Sequence, residues 1–327
     1  MRRGVLDTVG SPLVQVNSPP GSVLAAKMES SNPGGSAKVR PAIAMIEAAE
    51  QAGALRPGDR IVEPTSGNTG IGIAMIAAAK GYEATIVMPE SKSPERRAIM
   101  RAYGARVELV SGSISVAKDR ADELEQAAGT VQLRQFENAA NPEAHFRTTA
   151  EEILEQVDGH RIDALVCGVG TGGTITGIGR RLRDAYPNCR LVAVEPENNA
   201  VLSGAAPGED DYQGMGAGFV PENLDVALLD AVETVSVEAA EAECRRLAQE
   251  EGILVGQSSG ASNLAARRVA QELADSAAGC PQPSNETALL AERDDLDRTI
   301  PESCPLVVTV YWDSGERYMS TGMFDNP

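Results

Sequence analysis

The sequence predicts a parallel α/β fold in two domains, and three observations carry that prediction. Short apolar runs alternate with helix-period segments from about residue 60 to residue 194, the pattern of strands joined by helical crossovers. Several of these strands end in turns built from Gly, Ser, Thr and Asn, where such folds hold their ligands. Ahead of the alternation the chain is broken at Gly10-Ser11-Pro12 and Ser18-Pro19-Pro20-Gly21 into short strands outside the repeating pattern.

Residues 13–16 alternate and 23–27 are largely apolar, giving two strands. Asn32-Pro33-Gly34-Gly35 is a turn leading to Ser36, which suits the cap of a helix over 37–49. Lys38 then falls in the first helical turn, where the helix dipole disfavours an ammonium and favours a neutral, nucleophilic amine. After a loop at 53–58 come a strand over 60–63, a polar turn and an apolar helix over 71–80. Strand 84–88, helix 93–103, strand 106–110, helix 115–128 and strand 131–133 continue the alternation. A helix over 141–157, strand 164–167, helix 174–185 and strand 191–194 follow. The apolar stretch 253–255 precedes another polar turn and a helix, and 306–311 is the last strand. Residues 37–140 are predicted to form a smaller domain, and 1–36 with 141–327 a larger one, with a cleft between them. Residues 275–304, rich in Pro, Ser, Asp, Glu and Arg, read as an acidic surface insertion with a short helix over 286–297.

Composition bounds the function. With 327 residues, 42% apolar, the chain can bury a large core, and 3% aromatics leaves that core to Ala, Val, Ile and Leu. A net charge of −18 argues against nucleic acid and anionic membrane surfaces. No apolar run is long enough to span a bilayer and Met-Arg-Arg is not followed by a signal-peptide core, so the expected compartment is the cytoplasm. Five cysteines without Cys-x-x-Cys spacing and two histidines give no zinc pattern. The cysteines read as reduced thiols, His145 and His160 as structural. Only five of the 29 basic residues are lysine, which gives each lysine in a motif-like setting more weight.

Four strand-end turns carry the chemistry. Thr65-Ser66-Gly67-Asn68-Thr69-Gly70 gathers hydroxyls, an amide and glycines at a helix start, a nest for a carboxylate or phosphate. Gly168-Val169-Gly170-Thr171-Gly172-Gly173-Thr174 satisfies G-x-G-x-x-G, with Glu195 at the end of the next strand where a dinucleotide fold keeps its ribose-binding acid. An NAD-dependent oxidoreductase is therefore an open alternative. Against it, the Thr171 and Thr174 hydroxyls suit a terminal phosphate better than a bridging one. Gly256-Gln257-Ser258-Ser259-Gly260 and Asp313-Ser314-Gly315-Glu316-Arg317-Tyr318 complete a set expected to converge on one crevice.

Together with residues 31–40 and Gln213-Gly214-Met215-Gly216-Ala217-Gly218-Phe219, these motifs closely resemble the cysteine synthase (O-acetylserine sulfhydrylase) family over nearly the whole chain. The resemblance implies the fold of the tryptophan-synthase β-like, fold-type II pyridoxal-phosphate enzymes: two three-layer α/β domains with mostly parallel sheets. It implies pyridoxal 5′-phosphate held by Lys38 as a Schiff base, Asn68 at the 3′-oxygen, Gly170, Thr171, Gly172, Gly173 and Thr174 around the phosphate, and Ser258 at the ring nitrogen. Thr65, Ser66, Gly67, Thr69 and Gln135 would grip the substrate carboxylate. The implied reaction makes L-cysteine from O-acetyl-L-serine and sulfide through α-aminoacrylate, with Lys38 as α-proton base and no metal. A homodimer is implied, and docking of serine acetyltransferase is known for some members. Related readings are an O-phosphoserine sulfhydrylase, a thiosulfate-using B-type isozyme, or a cystathionine β-synthase-like enzyme. No Lys or Arg lies between Arg190 and Arg245, which favours an uncharged acetyl leaving group unless an arginine arrives from elsewhere. The chain is shorter than cystathionine β-synthases that add a regulatory domain.

Overall fold

The structure, a computed structural model, describes residues 1–65, 67–283 and 300–325. The chain opens on β1 (Leu13–Val16) and β2 (Val23–Met28), then runs through α1 (Val39–Gln51), β3 (Arg60–Pro64), α2 (Asn68–Lys80), β4 (Glu83–Pro89), α3 (Pro94–Ala102), β5 (Arg106–Val110), α4 (Ile114–Glu125) and β6 (Thr130–Gln132). Next come α5 (Ala140–Ala144), a π-helical turn (His145–Thr149), α6 (Ala150–Gln156), β7 (Ala164–Gly168), α7 (Gly173–Ala185) and β8 (Arg190–Pro196). After β9 (Ala231–Val235), α8 (Val237–Glu251) and α9 (Gln257–Leu273), β10 (Leu306–Tyr311) leads into a 3-10 helix (Gly315–Thr321).

Two sheets result. One is parallel, in the order β5-β4-β3-β6. The other, β1-β2-β10-β7-β8-β9, is parallel except for β1, which pairs antiparallel with β2. The two-residue period of each strand sends alternate side chains to opposite helical layers. Ile61, Ile86 and Met88 meet α1, α2 and α3, whereas Val62 and Val87 meet Ala117 and Ala121 of α4. In the larger sheet Val166, Val192 and Val307 pack against α8 and α9, and Leu165, Leu191 and Val308 pack against α6 and α7. The predicted fold class, two mostly parallel α/β sheets with helices on both faces, is the one observed.

Each sheet reverses its winding once. In the smaller sheet β3 lies between β4 and β6; in the larger β7 lies between β8 and β10. The loops following these strands leave from switch points, where parallel sheets open a crevice.

Several local readings change. α1 begins at Val39, with Lys38 at the cap position and Ser36 bridged to Asp313, so the helix starts later than Ser36 capping would give. The helix expected over 141–157 is interrupted by the π turn at His145–Thr149. Residues 253–255 form no strand, Val255 making a lone bridge to Ser314. The helix expected over 286–297 lies outside the described residues.

The cysteine reading is corrected as well. Cys280 and Cys304 are bonded to each other, their Cα atoms 5.6 Å apart, because the chain after α9 returns to the start of β10. Cys167, Cys189 and Cys244 are free and buried. Closing a loop from 280 to 304 restricts the unfolded chain, so reduction, or Cys280→Ser, is expected to cost about 3 kcal/mol. Urea unfolding with and without reductant checks this; coincident midpoints would contradict it. No helix among the described residues is long and apolar enough to cross a membrane.

Candidate active site

The loops leaving the two switch points face one another across a cavity of about 720 Å³, a size that holds a cofactor together with a small substrate. Lys38, Thr65, Gly67, Asn68, Thr69, Gln135, Gly170, Thr171, Gly172, Thr174 and Ser258 all line it. Gly173 is in the same loop and opens α7 without itself forming part of the wall. Ser66 lies outside the described residues.

Lys38 is held by its neighbours on both sides. Ala37 N–H donates to the carbonyl of Trp312 at 2.9 Å, and Trp312 N–H donates to Ser259 Oγ at 3.0 Å. This ties the Lys38 turn, the end of β10 and the start of α9 together. Lys38 Nζ lies 5.9 Å from the Trp312 ring centroid and makes no ion pair among the described residues. Burial lowers its pKa to about 8, with Asp313 opposing the shift. At neutral pH an appreciable fraction of the amine is then unprotonated.

Asn68 sits at the start of α2 and is gripped from beneath. Its Nδ2 donates to Asp313 Oδ2 at 2.6 Å, and Arg317 donates to its Oδ1. Arg317 also donates to the carbonyl of Gly34, so three of the sequence motifs meet on one guanidinium. Asp313 is fully buried, accepts from Tyr318 Oη at 3.1 Å and pairs with Arg96 at 3.5 Å. These contacts fix which end of the amide is the donor and leave one N–H of Asn68 for a ligand. Gly67 is left-handed at φ 145°, and a Cβ there would come within 2.3 Å of Arg96 Cδ, so the turn over Arg96 admits no side chain.

The loop after β7 is a cradle of donors. The N–H groups of Gly170, Thr171, Gly172, Gly173 and Thr174 make no hydrogen bond to described residues. They surround the N-terminus of α7, which attracts a phosphate. Gly172 has φ 78°, and a Cβ on it would lie 2.6 Å from Leu224, so both backbone and packing demand glycine there. Thr174 Oγ1 is 3.1 Å from His145 Nε2, whose Nδ1 is 2.9 Å from Thr149 Oγ1. Burial holds the His145 pKa well below its ordinary value, so the ring is neutral and bridges two hydroxyls. Asn141 Nδ2 donates to Thr171 Oγ1 at 3.0 Å and to the Gln135 carbonyl at 2.8 Å, linking this loop to the smaller sheet.

On that smaller sheet, Gln135 Nε2 donates to the Pro64 carbonyl and its Oε1 accepts from Thr69 Oγ1, both at 2.7 Å. Thr65 Oγ1 accepts from Gly67 N–H at 3.1 Å. Ser258, in the first turn of α9, has no side-chain hydrogen bond to described residues. Lys38 Nζ, Ser258 Oγ and the N–H groups of Gly170, Thr171, Gly172 and Thr174 are thus donors lining one cavity with no hydrogen-bond partner among the described residues. A ligand bearing an aldehyde, a ring acceptor and a phosphate fits that set.

At the mouth, Phe136 and Phe219 meet edge to face at 5.3 Å, with Lys118 Nζ 5.7 Å from each ring. Lys92, just ahead of α3, and Arg96, in its first turn, enter the wall; Arg96 is an arginine arriving from elsewhere, for which the sequence left room. Lys92 Nζ donates to the Tyr212 carbonyl at 3.1 Å, and Glu209, Asp210 and Asp211 line the same side. Glu195 is buried, accepts from Leu202 N–H, Ser203 N–H and Ser203 Oγ, and is no part of the cavity wall, which removes the ribose-binding role of the dinucleotide reading. Asp313, Arg317 and Arg96 had no role in the sequence reading; Asp313 and Arg317 stood in a quoted motif, Arg96 carried no local signal, and His145, read as structural, is placed between Thr149 and Thr174.

The family described as pyridoxal-phosphate dependent enzyme matches residues 6–279. A cysteine synthase of Staphylococcus aureus (strain Mu50) is 46% identical over 300 residues, 91% of this chain and 88% of its own. Among solved structures, cysteine synthase from Entamoeba histolytica superposes with a TM-score of 0.86 at 31% identity, covering 100% of this chain and 92% of that one. An O-acetylserine dependent cystathionine β-synthase from Helicobacter pylori superposes with a TM-score of 0.85 at 34% identity, covering 99% of each chain. That enzyme is matched over 99% of its own length, so chain length does not separate this protein from cystathionine β-synthases of this size.

Proposed function

The chain belongs to the pyridoxal-phosphate dependent enzymes, and from that premise we propose that it makes L-cysteine by β-replacement, exchanging the acetate of O-acetyl-L-serine for sulfide. The observation that carries this reading is the ring of donors, Lys38 Nζ, Ser258 Oγ and the N–H groups of residues 170–174, which have no hydrogen-bond partner among the described residues and surround one cavity.

When bound, pyridoxal phosphate supplies an electron-withdrawing ring that acidifies the α-carbon of an attached amino acid. Gly170, Thr171, Gly172, Gly173 and Thr174 would hold its phosphate, and the remaining N–H of Asn68 its 3′-oxygen. Ser258 would meet the ring nitrogen with a neutral hydroxyl, which leaves that nitrogen unprotonated and favours prompt loss of a β-leaving group. Lys38 Nζ would hold the aldehyde and, once displaced by the substrate amine, take the α-proton. Thr65, Ser66, Gly67, Thr69 and Gln135 would bind the substrate carboxylate, and Phe136 with Phe219 would keep water from the reacting carbon.

Acetate is the proposed leaving group because the nearby cations are engaged, Lys92 by Tyr212, Arg96 by Asp313 and Lys118 by Glu137, while Glu209, Asp210 and Asp211 oppose a phosphate dianion. The smaller mobile domain is proposed as 37–140, closing on 1–36 with 141–327. The working form is proposed as a cytoplasmic homodimer, with serine acetyltransferase as a candidate partner; sedimentation with and without that enzyme tests both associations.

Absorbance of the purified holoprotein tests the reaction. O-acetylserine is expected to shift the cofactor's visible band and sulfide to restore it, with cysteine appearing in step. A band unmoved by O-acetylserine, O-phosphoserine and other β-substituted serines would overturn the reading; a response to O-phosphoserine alone would replace the leaving group.

A further inference from the structure

Glu63 is a wholly buried carboxylate in the last turn-ward half of β3, a costly place for a charge. What faces it is specific. Its Oε2 accepts the N–H groups of Leu133 at 3.0 Å and Arg134 at 2.9 Å, and its Oε1 accepts that of Gln135 at 2.9 Å. The β3–β6 ladder ends at Val62 opposite Gln132. Beyond it, the Glu63 side chain replaces the missing strand and gathers three successive donors. Arg134 adopts φ 56°, left-handed for a residue with a side chain, and this bend aims the third N–H at the carboxylate. A carboxylate accepts only, with about four lone-pair positions, whereas a glutamine would turn its own N–H against one of the three donors.

We propose that Glu63 is a positioning residue for substrate binding: by fixing the backbone of Leu133, Arg134 and Gln135 it aims the Gln135 side chain at the substrate carboxylate. The link is short. Gln135 Nε2 returns to the carbonyl of Pro64, the residue after Glu63, and its Oε1 meets Thr69. The Gln135 carbonyl is held from the other side by Asn141 and Asn223, each at 2.8 Å. Loss of the Glu63 contacts frees the one side of Gln135 that belongs to its own sheet. The inference rests on the reading of Gln135 as a carboxylate ligand.

Burial raises the Glu63 pKa to about 7, with the three N–H groups and then Arg134 opposing the shift. Among the described residues the charged side chain acting on it is Arg134, itself paired with Glu125 and Asp122. Proton uptake near neutrality would therefore weaken the same three contacts that a mutation removes.

The test uses the holoenzyme and Glu63→Gln, with hydrogen exchange read at the amides of Leu133, Arg134 and Gln135. Exchange there is expected to quicken at least about tenfold, and KM for O-acetylserine to rise about tenfold with kcat changed less than about threefold. The cofactor band should be unmoved. Wild type should lose affinity as pH falls through about 7, and the variant should not follow that limb. Glu63→Asp, which keeps the charge but draws it back, should fall between the two. If Glu63→Gln does not fold, wild-type exchange below and above pH about 7 gives the same comparison. Amides that stay protected overturn the proposal. So does faster exchange with unchanged KM, when Gln135→Ala raises KM in parallel assays. If Gln135→Ala also leaves KM unchanged, the carboxylate role of Gln135 is what fails, and the inference falls with it.

Discussion

Replacing Lys38 with alanine is expected to lower cysteine formation by at least about 10³-fold, the upper range for removing a general base that also holds the cofactor. The reason is positional. Lys38 caps α1, is seated by the Ala37–Trp312 and Trp312–Ser259 hydrogen bonds, and is the lysine lining the cavity whose ammonium makes no hydrogen bond to described residues. Lys92, the other lysine in the wall, enters from the segment leading into α3 and is engaged by the Tyr212 carbonyl, so it is not expected to stand in. Borohydride reduction of wild-type holoprotein followed by digestion should place the cofactor label on Lys38, and the alanine variant should carry none. The pKa supplies a second expectation. Since burial brings Lys38 down to about 8, capture of added cofactor by the apoprotein should quicken as pH rises towards 8 and level off above it. A pH-independent capture rate, or a label on another lysine, would contradict the assignment.

That assignment shows what the sequence could carry. That the 65–70 and 168–174 turns meet in one crevice was legible because strand ends in parallel sheets converge and glycine-rich polar turns mark those ends, whereas the roles expected of Lys38, Asn68 and Ser258 came from the resemblance of the linked motifs. The helix start of α1 was misplaced by Ser36, whose backbone joins Asp313, a contact across more than two hundred residues. The π turn at His145–Thr149 was invisible because periodicity tests for i→i+4 spacing, and one extra residue in a turn leaves the apolar pattern almost intact. It is that turn which carries His145 against Thr174. Arg96 and Glu63 were missed for a different reason. A charged side chain reads as solvated from sequence, and only the packed structure shows that both are fully buried with partners supplied by distant loops. The edge strand Ala231–Val235 is half-buried along most of its length and alternates too weakly to stand out. Cys280 and Cys304 gave no spacing signal, since their pairing depends on β10 returning between β2 and β7.

Arg40→Met is expected to destabilise the fold by about 3–5 kcal/mol, the cost of stripping the counter-charge from a buried ionic network. Arg40 is two residues past Lys38 and almost completely buried. It donates two bonds to Glu29, each 2.8 Å, and two to Glu152, 2.7 and 2.8 Å. Lys27, also fully buried, pairs with Glu152 at 2.8 Å. Two cations thus balance two carboxylates, and methionine would fill much of the volume while leaving a net buried negative charge. Removing both partners is the control: Arg40→Met with Glu29→Gln should recover part of the loss, because the uncompensated charge and not the missing guanidinium is what costs most. The pH dependence follows by sign. Glu152 is held down to about 2 by Arg40 and Lys27 against the opposing effect of burial. Its contribution is complete above its unfolded value and is lost as pH falls towards 2. The single variant should show a shallower acid limb, since Lys27 alone then holds Glu152. Because this network anchors α1 to β2 and α6, the same variant should loosen the Lys38 turn and weaken cofactor retention before global unfolding. Chemical denaturation across pH, with the cofactor band followed in parallel, separates the two events; an unchanged midpoint at neutral pH would show that the network contributes specificity of packing and not stability.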